Sequence, residues 1–426
     1  MVALWIRAGC ALAGDSALGI RLLGPLAAAL GSILLVRAAP DRHTGLIAAA
    51  LLNATLLLGA GAVTMTPDTP LLLFWTMALW ALARVQRTGD GRYWLVAGLA
   101  TGLATASKYT GVLLLPAALV WLLLTPRLRF WLRRAEPWGG AVLAGLVFFP
   151  VLQWNAAHHW ISFLRQGGRT GAWHPARAAQ FLAELAAGQF GLATPLVFCL
   201  CVCGAWAAAR RARRDGAAAL LTALILLPAC VFVQHALGDR VQANWPAIVY
   251  PAAAIAAATW CAARWRTAIA SGFGVTALVY LQAATFLLPL PPRLDPVQRQ
   301  LAGWRDLADQ AALAANTGGD RFLAADEYGL AAELALLLPH ATVIGAEPRW
   351  ASFALRPAAI AGQRGLLLRS ARRAGPPDAT PWAAVLPAGS IERRAPGGVV
   401  ERYLLYRVIG RTPSGDVVAL PQPTGG

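Results

Sequence analysis

Thr66-Pro-Asp-Thr-Pro-Leu-Leu-Leu-Phe-Trp-Thr-Met-Ala-Leu-Trp-Ala-Leu-Ala-Arg-Val-Gln-Arg87 reads as one membrane span with two unlike ends. The run from Pro70 to about Val85 is apolar, as a bilayer crossing requires. Small polar residues and one acid, Asp68, stand before it, and Arg84 and Arg87 close it. Arginines gather on the cytoplasmic side of membrane proteins, so this stretch enters from outside and leaves inside. The same reading extends along the chain to ten segments, roughly 20–38, 45–64, 70–85, 93–107, 110–125, 138–154, 188–209, 216–234, 246–263 and 268–288. Fifteen arginines fall in five alternate short loops: 37 and 42; 84, 87 and 92; 127, 129, 133 and 134; 210, 211, 213 and 214; 264 and 266. That alternation predicts ten spans with residues 1–19 and the tail after Leu288 both outside.

Composition agrees. Of 426 residues, 58% are apolar and only 13% charged, about half the share of an ordinary soluble domain. A disordered chain, a collagen and a typical cytosolic enzyme are excluded. The net charge of +17 would suggest nucleic acid, but the loop arginines account for most of it, and no nucleic-acid partner is needed. The six cysteines (10, 199, 201, 203, 230, 261) include no C-x-x-C pair. They read as small buried hydrophobes and not as a metal site.

After Leu288, Pro289-Leu-Pro-Pro292 forms a stiff linker, and 12 of the 20 acids follow it. Residues 297–316 and 328–338 read as helices. Residues 321–325, 342–345, 365–368, 382–386 and 403–409 read as strands. The expected architecture is an all-α polytopic bundle over 1–290 with a small extracytoplasmic α/β domain over 291–426.

Polar and ionisable residues collect in the predicted outer loops. Asp68 can position a cation or an acceptor hydroxyl; a helix cap at the start of its span is the stronger reading. A divalent cation is the one cofactor left open. Lys108, the single lysine beside 36 arginines, lies between two apolar segments in Ser107-Lys-Tyr-Thr110. It reads as a clamp for a phosphate, slightly ahead of a snorkelling anchor, and Tyr109 beside it supplies a hydroxyl. Arg21 either binds an anionic head group or pairs with Asp15, and Arg240 offers the same choice with Asp239. Trp154, Asn155, His158, His159, Trp160, Ser162 and Phe163, followed by Arg169, read as an interfacial amphipathic helix or as sugar-compatible groups among aromatic rings. Adjacent histidines lack metal spacing, and no zinc is expected. Gly98-x-x-x-Gly102 is a helix-packing motif.

Taken in order, several motifs resemble bacterial glycosyltransferase family 39, the relatives of protein O-mannosyltransferases and lipid A aminoarabinose transferases. They are Asp15-Ser16 with Gly19-Ile-Arg21-Leu22, Thr66 to Trp75, Ser107 to Thr110, Trp154-Asn155 with His158, Trp160 and Phe163, and Gln242 with Asn244-Trp-Pro246 and Tyr250-Pro251. Gly303-Trp304 and Tyr328 extend the resemblance into the tail. It implies a GT-C fold in the bacterial inner membrane, a polyprenyl-phosphate sugar as donor, a periplasmic lipid, lipopolysaccharide, glycan or protein as acceptor, and inversion at the anomeric carbon. It implies cationic side chains on the leaving phosphate, here Lys108 and Arg21 with Tyr109. Asp68, Asn155, His158, Arg169, Arg240 and Asn244 are then candidates for substrate contact. The family's catalytic acid would lie upstream of Met1, together with a first helix, so either an earlier start or a chain inactive as written is expected, and no catalytic base is assigned. The competing readings are a polymerase or ligase using lipid-linked glycans, and a transporter or membrane scaffold. A transporter should show charges or broken helices at the midplane, and the sequence shows none.

Overall fold

The computed structural model describes residues 1–421 apart from 172, 262, 289, 293, 354 and 412–416, with 168–171 described by backbone alone. The chain divides into two units, Met1–Leu278 and Val279–Gly426.

The first unit is helical throughout. Apolar residues cover the outward surfaces of its helices. Leu26, Leu30 and Ile33 are exposed along one, and Val142, Leu146 and Phe149 along another. This helical spacing gives faces suited to lipid. The interior contacts are made by small residues. A Cβ on Gly98 would meet the backbone of Gly140, and one on Gly102 would meet Val147 and the carbonyl of Ala144. The expected packing motif therefore seats helix Arg92–Ser107 against helix Ala135–Ala157. Arg87 donates to the carbonyls of Arg37 and Ala39, satisfying the open end of helix Leu23–Ala38.

All ten expected segments are helical over most of their length. Among the described residues, four helices are long and apolar enough to cross a membrane: Ala17–Ala38, Ala135–Ala157, Gly216–Ala236 and Trp265–Thr285. They become six when each of two bent pairs counts as one. Two expected spans are not straight, which corrects the expectation of helices without breaks. Segment 45–64 bends by 72° between Asn53 and Leu56. Segment 188–209 breaks by 110° between Leu192 and Pro195, because Pro195 lacks an N–H and Thr194 is held at φ 62°. The cysteine reading needs correction as well. Cys201 alone is buried, while Cys199, Cys203 and Cys230 lie exposed, since residues two apart on a helix face different ways.

The second unit carries a six-stranded sheet of order β4-β5-β3-β1-β2-β6. Its strands are β1 (Phe322–Ala325), β2 (Val343–Gly345), β3 (Arg364–Ser370), β4 (Trp382–Ala395), β5 (Gly398–Gly410) and β6 (Val418–Ala419). β1 pairs in parallel with β2 and β3, and the other pairings are antiparallel. The helix expected over 297–316 is two helices, Pro296–Leu301 and Trp304–Gly318, parted at Gly303 with φ 76°. β4 and β5 run well beyond the expected strands as a long ribbon.

Candidate functional site

Three of the sequence candidates meet in the first unit. Helix Arg92–Ser107 ends where Lys108 turns to an extended conformation, φ −155° and ψ 136°. Gly111 tucks the following turn against the backbone of Ala104 and Thr105, where a Cβ would approach to 2.4 Å. From this turn the Lys108 ammonium reaches the Asp68 carboxylate, Nζ to Oδ1 2.6 Å. The other carboxylate oxygen, Oδ2, accepts from Asn244 Nδ2 at 2.5 Å. Asn244 precedes the short helix Trp245–Val249, and the Trp245 ring lies 5.6 Å from Lys108 Nζ, within cation–π range. Residues 176 positions apart thus build one cluster of an acid, an ammonium, an amide and an indole.

The cap reading of Asp68 is overturned. Thr66 Oγ1 accepts the Asp68 N–H and Thr69 Oγ1 accepts the Thr66 N–H. The threonines serve the helix start, and the carboxylate is released toward Lys108 and Asn244.

Asp68 and Asn244 also line a cavity of about 410 Å³. Its remaining wall is mostly apolar, with Leu52, Leu57, Leu72, Leu73 and Leu192 among the lining residues. Thr66, Thr69 and Thr76 add hydroxyls. A largely apolar cavity of this size with a few convergent polar groups is the usual form of a small-ligand site.

Tyr109 and Asn155 form a second cluster. The Tyr109 hydroxyl lies 2.5 Å from Ser162 Oγ, Ser162 Oγ donates to Asn155 Oδ1, and Asn155 Nδ2 donates to the Val151 carbonyl. The Tyr109 ring stacks on Phe163 at 4.8 Å. Asn155 is fully buried, and its backbone carbonyl accepts from both His158 and Trp160. The chain reverses there through His159 and Trp160, with φ 53° and 58°. This network fixes the Lys108 turn to the start of helix Ile161–Gly171.

The other candidates stand apart from both clusters. His158 is exposed and stacks on Trp154 at 4.1 Å. Arg240 does not take Asp239 as its ion partner. It pairs with Glu184 at 2.8 Å, while Asp239 accepts the Arg240 backbone N–H. Arg21 ends the short helix Ala17–Arg21, exposed and without an ion pair among the described residues. The Arg169 side chain lies outside the described residues. Sequence reasoning missed Trp245 as a partner of Lys108 and Ser162 as the bridge; the signal was adjacency, since each stands inside a motif already quoted.

Comparisons with known proteins point one way. Residues 1–154 match the dolichyl-phosphate-mannose-protein mannosyltransferase family model. The chain is 27% identical over 360 residues, 78% of its length and 72% of the relative's, to the lipid A galacturonosyltransferase RgtD of Rhizobium johnstonii. Its fold matches the crystal structure of ArnT from Cupriavidus metallidurans bound to undecaprenyl phosphate. The TM-score is 0.61 at 16% identity, covering 95% of this chain and 87% of that one. The apo state of the same protein matches with a TM-score of 0.58, also at 16% identity, covering 95% and 86%. The chain is a membrane protein similar over its first 154 residues to that mannosyltransferase family and sharing the fold of ArnT.

Proposed function

We propose that this chain transfers a sugar from a polyprenyl-phosphate donor to an acceptor on the periplasmic side of the bacterial inner membrane. In this reading the bundle crosses ten times, and the sheet-bearing unit is periplasmic. The observation that carries the reading is the Lys108–Asp68–Asn244 cluster, whose acid and amide line an apolar cavity.

The chemistry follows from the groups present. When the sugar leaves, the lipid phosphate gains negative charge, and a preorganised donor aimed at that charge lowers the barrier by several kcal/mol in a dry site. Lys108 supplies it. An ammonium has three N–H donors, so it can hold Asp68 with one and a phosphate oxygen with another. Asp68 keeps the ammonium in place before the donor arrives, Asn244 keeps the carboxylate in place, and the Trp245 face favours the cation. The cavity suits the first isoprene units, each buried CH₂ contributing roughly 0.8 kcal/mol. The Tyr109–Ser162–Asn155 network orients the turn on which Lys108 stands. RgtD acts on lipid A by its name, which favours a lipid acceptor over protein.

The test is a transfer assay in membranes containing the chain, with radiolabelled polyprenyl-phosphate sugars. Release of polyprenyl phosphate with label moving into an acceptor fraction is expected. If no donor is bound or consumed, the reading fails.

A further inference from the structure

The sheet-bearing unit has an uneven charge. Residues 364–411 hold nine arginines against three acids, a net +6, while the rest of Val279–Gly426 holds six arginines against nine acids, a net −3. The positive side is organised at the end of β3 and the free end of the β4–β5 ribbon. Three carboxylates there each serve two arginines. Asp326 takes Arg369 and Arg373. Glu392 takes Arg394 at 2.7 Å and Arg402 at 2.8 Å. Glu401 lies 3.8 Å from both Arg372 and Arg393.

In each trio one carboxylate faces two guanidiniums, which leaves an uncompensated positive charge. Arg369 and Arg393 are buried, and their side chains also bond to backbone carbonyls. Arg372, Arg373, Arg394 and Arg402 are exposed. Strand register brings the four to the same end of the sheet. Arg402 pairs opposite Glu392, Ala371 N–H donates to the Arg402 carbonyl, and Arg372 donates to the Val400 carbonyl. Arg394 lies opposite Val399. Glu327 belongs to the same neighbourhood. Burial and the nearby Glu401 push its carboxyl up, and even counted as charged it leaves the six arginines in surplus over the four acids.

A solvated ion-pair face needs no surplus of one sign, since equal numbers screen each other. Anchored guanidiniums in surplus are suited to phosphate oxygens, which they meet two at a time. Only ten residues separate Thr285, the end of a membrane-length helix, from Pro296, a tether of at most ~35 Å. We infer that Arg372, Arg373, Arg394 and Arg402 form a surface that binds the phosphate groups of anionic lipid headgroups. This role is separate from sugar transfer.

The experiment is hydrogen exchange on the full chain in nanodiscs. One set is zwitterionic, one contains phosphatidic acid, and a third is zwitterionic with free pyrophosphate added. Slower exchange at 371–374 and 392–402 in the phosphatidic acid discs, reversed by high salt, is the expected result. Each Arg→Gln change should lower the protection about fivefold, the effect of one basic residue at a charged surface. Arg321→Gln and Arg356→Gln, outside the cluster, should leave it unchanged. Equal exchange in both lipids overturns the inference. Protection by pyrophosphate but not by phosphatidic acid also overturns it, by assigning the surface to a free phosphate compound.

Discussion

Replacing Lys108 by Met strands the Asp68 carboxylate, and the cost follows from the geometry. At 2.6 Å and an effective dielectric of about 20, the two charges attract by ~6 kcal/mol before desolvation. Desolvation consumes much of this, because the side chains are only 22% and 12% exposed. Loss of one partner from a fully buried pair costs ~3–5 kcal/mol. Here Asp68 retains Asn244 and borders a cavity, so Lys108→Met should cost ~2–3 kcal/mol. Asp68→Asn should cost ~1–2 kcal/mol. The double variant should be far better than the sum, with a coupling energy of ~1.5–3 kcal/mol in the range of contacting residues. The assay is equilibrium unfolding of the four proteins in mixed detergent micelles. Additivity within ~0.5 kcal/mol would refute the pair.

Three further outcomes follow. Glu327 has a raised carboxyl, through burial first and then Glu401. Between its unfolded and folded values the native state binds the extra proton, so this group weakens the fold as pH rises through that window; Glu327→Gln should raise the Tm at pH 7.5 and leave it unchanged at pH 4, as read by thermal scans. Gly98→Leu places a side chain where Gly140 backbone stands, and should destabilise by ~2 kcal/mol or more, while Gly145→Leu, with open space around it, should be nearly neutral in the same unfolding assay. Reporter fusions at Gly89 and Arg211 should score cytoplasmic and one at Gly319 periplasmic; a periplasmic signal at Arg211 would overturn the ten-span topology.

Helices and their order were legible because apolar length and loop arginines are local signals. The break at Thr194–Pro195 was not, since an apolar run reads alike whether straight or folded at a proline. The ribbon of β4 and β5 was foreshortened because Pro387, Gly389 and the charged run Glu392-Arg393-Arg394 interrupt the apolar alternation. At the site, Asp68, Lys108 and Asn244 were each visible as polar residues in outer loops. Their meeting was not, because it depends on three separate helix ends coming together, and a sequence carries no distance between motifs 40 and 136 positions apart. The choice between cap and ion-pair partner at Asp68 turned on what its carboxylate meets, which is Lys108 and Asn244 and no N–H of the helix start.

The central claim is that Lys108 holds the donor phosphate. The most direct measurement is binding of undecaprenyl phosphate to the purified full chain by titration calorimetry, for the wild type, Lys108→Arg, Lys108→Ala and Asp68→Asn, with folding checked in parallel. A loss of tenfold or more is expected in Lys108→Ala, partial retention in Lys108→Arg, and weaker binding in Asp68→Asn, where the ammonium loses the carboxylate that holds it in place. Wild-type affinity in a folded Lys108→Ala protein would contradict the claim and reduce this lysine to an interfacial anchor.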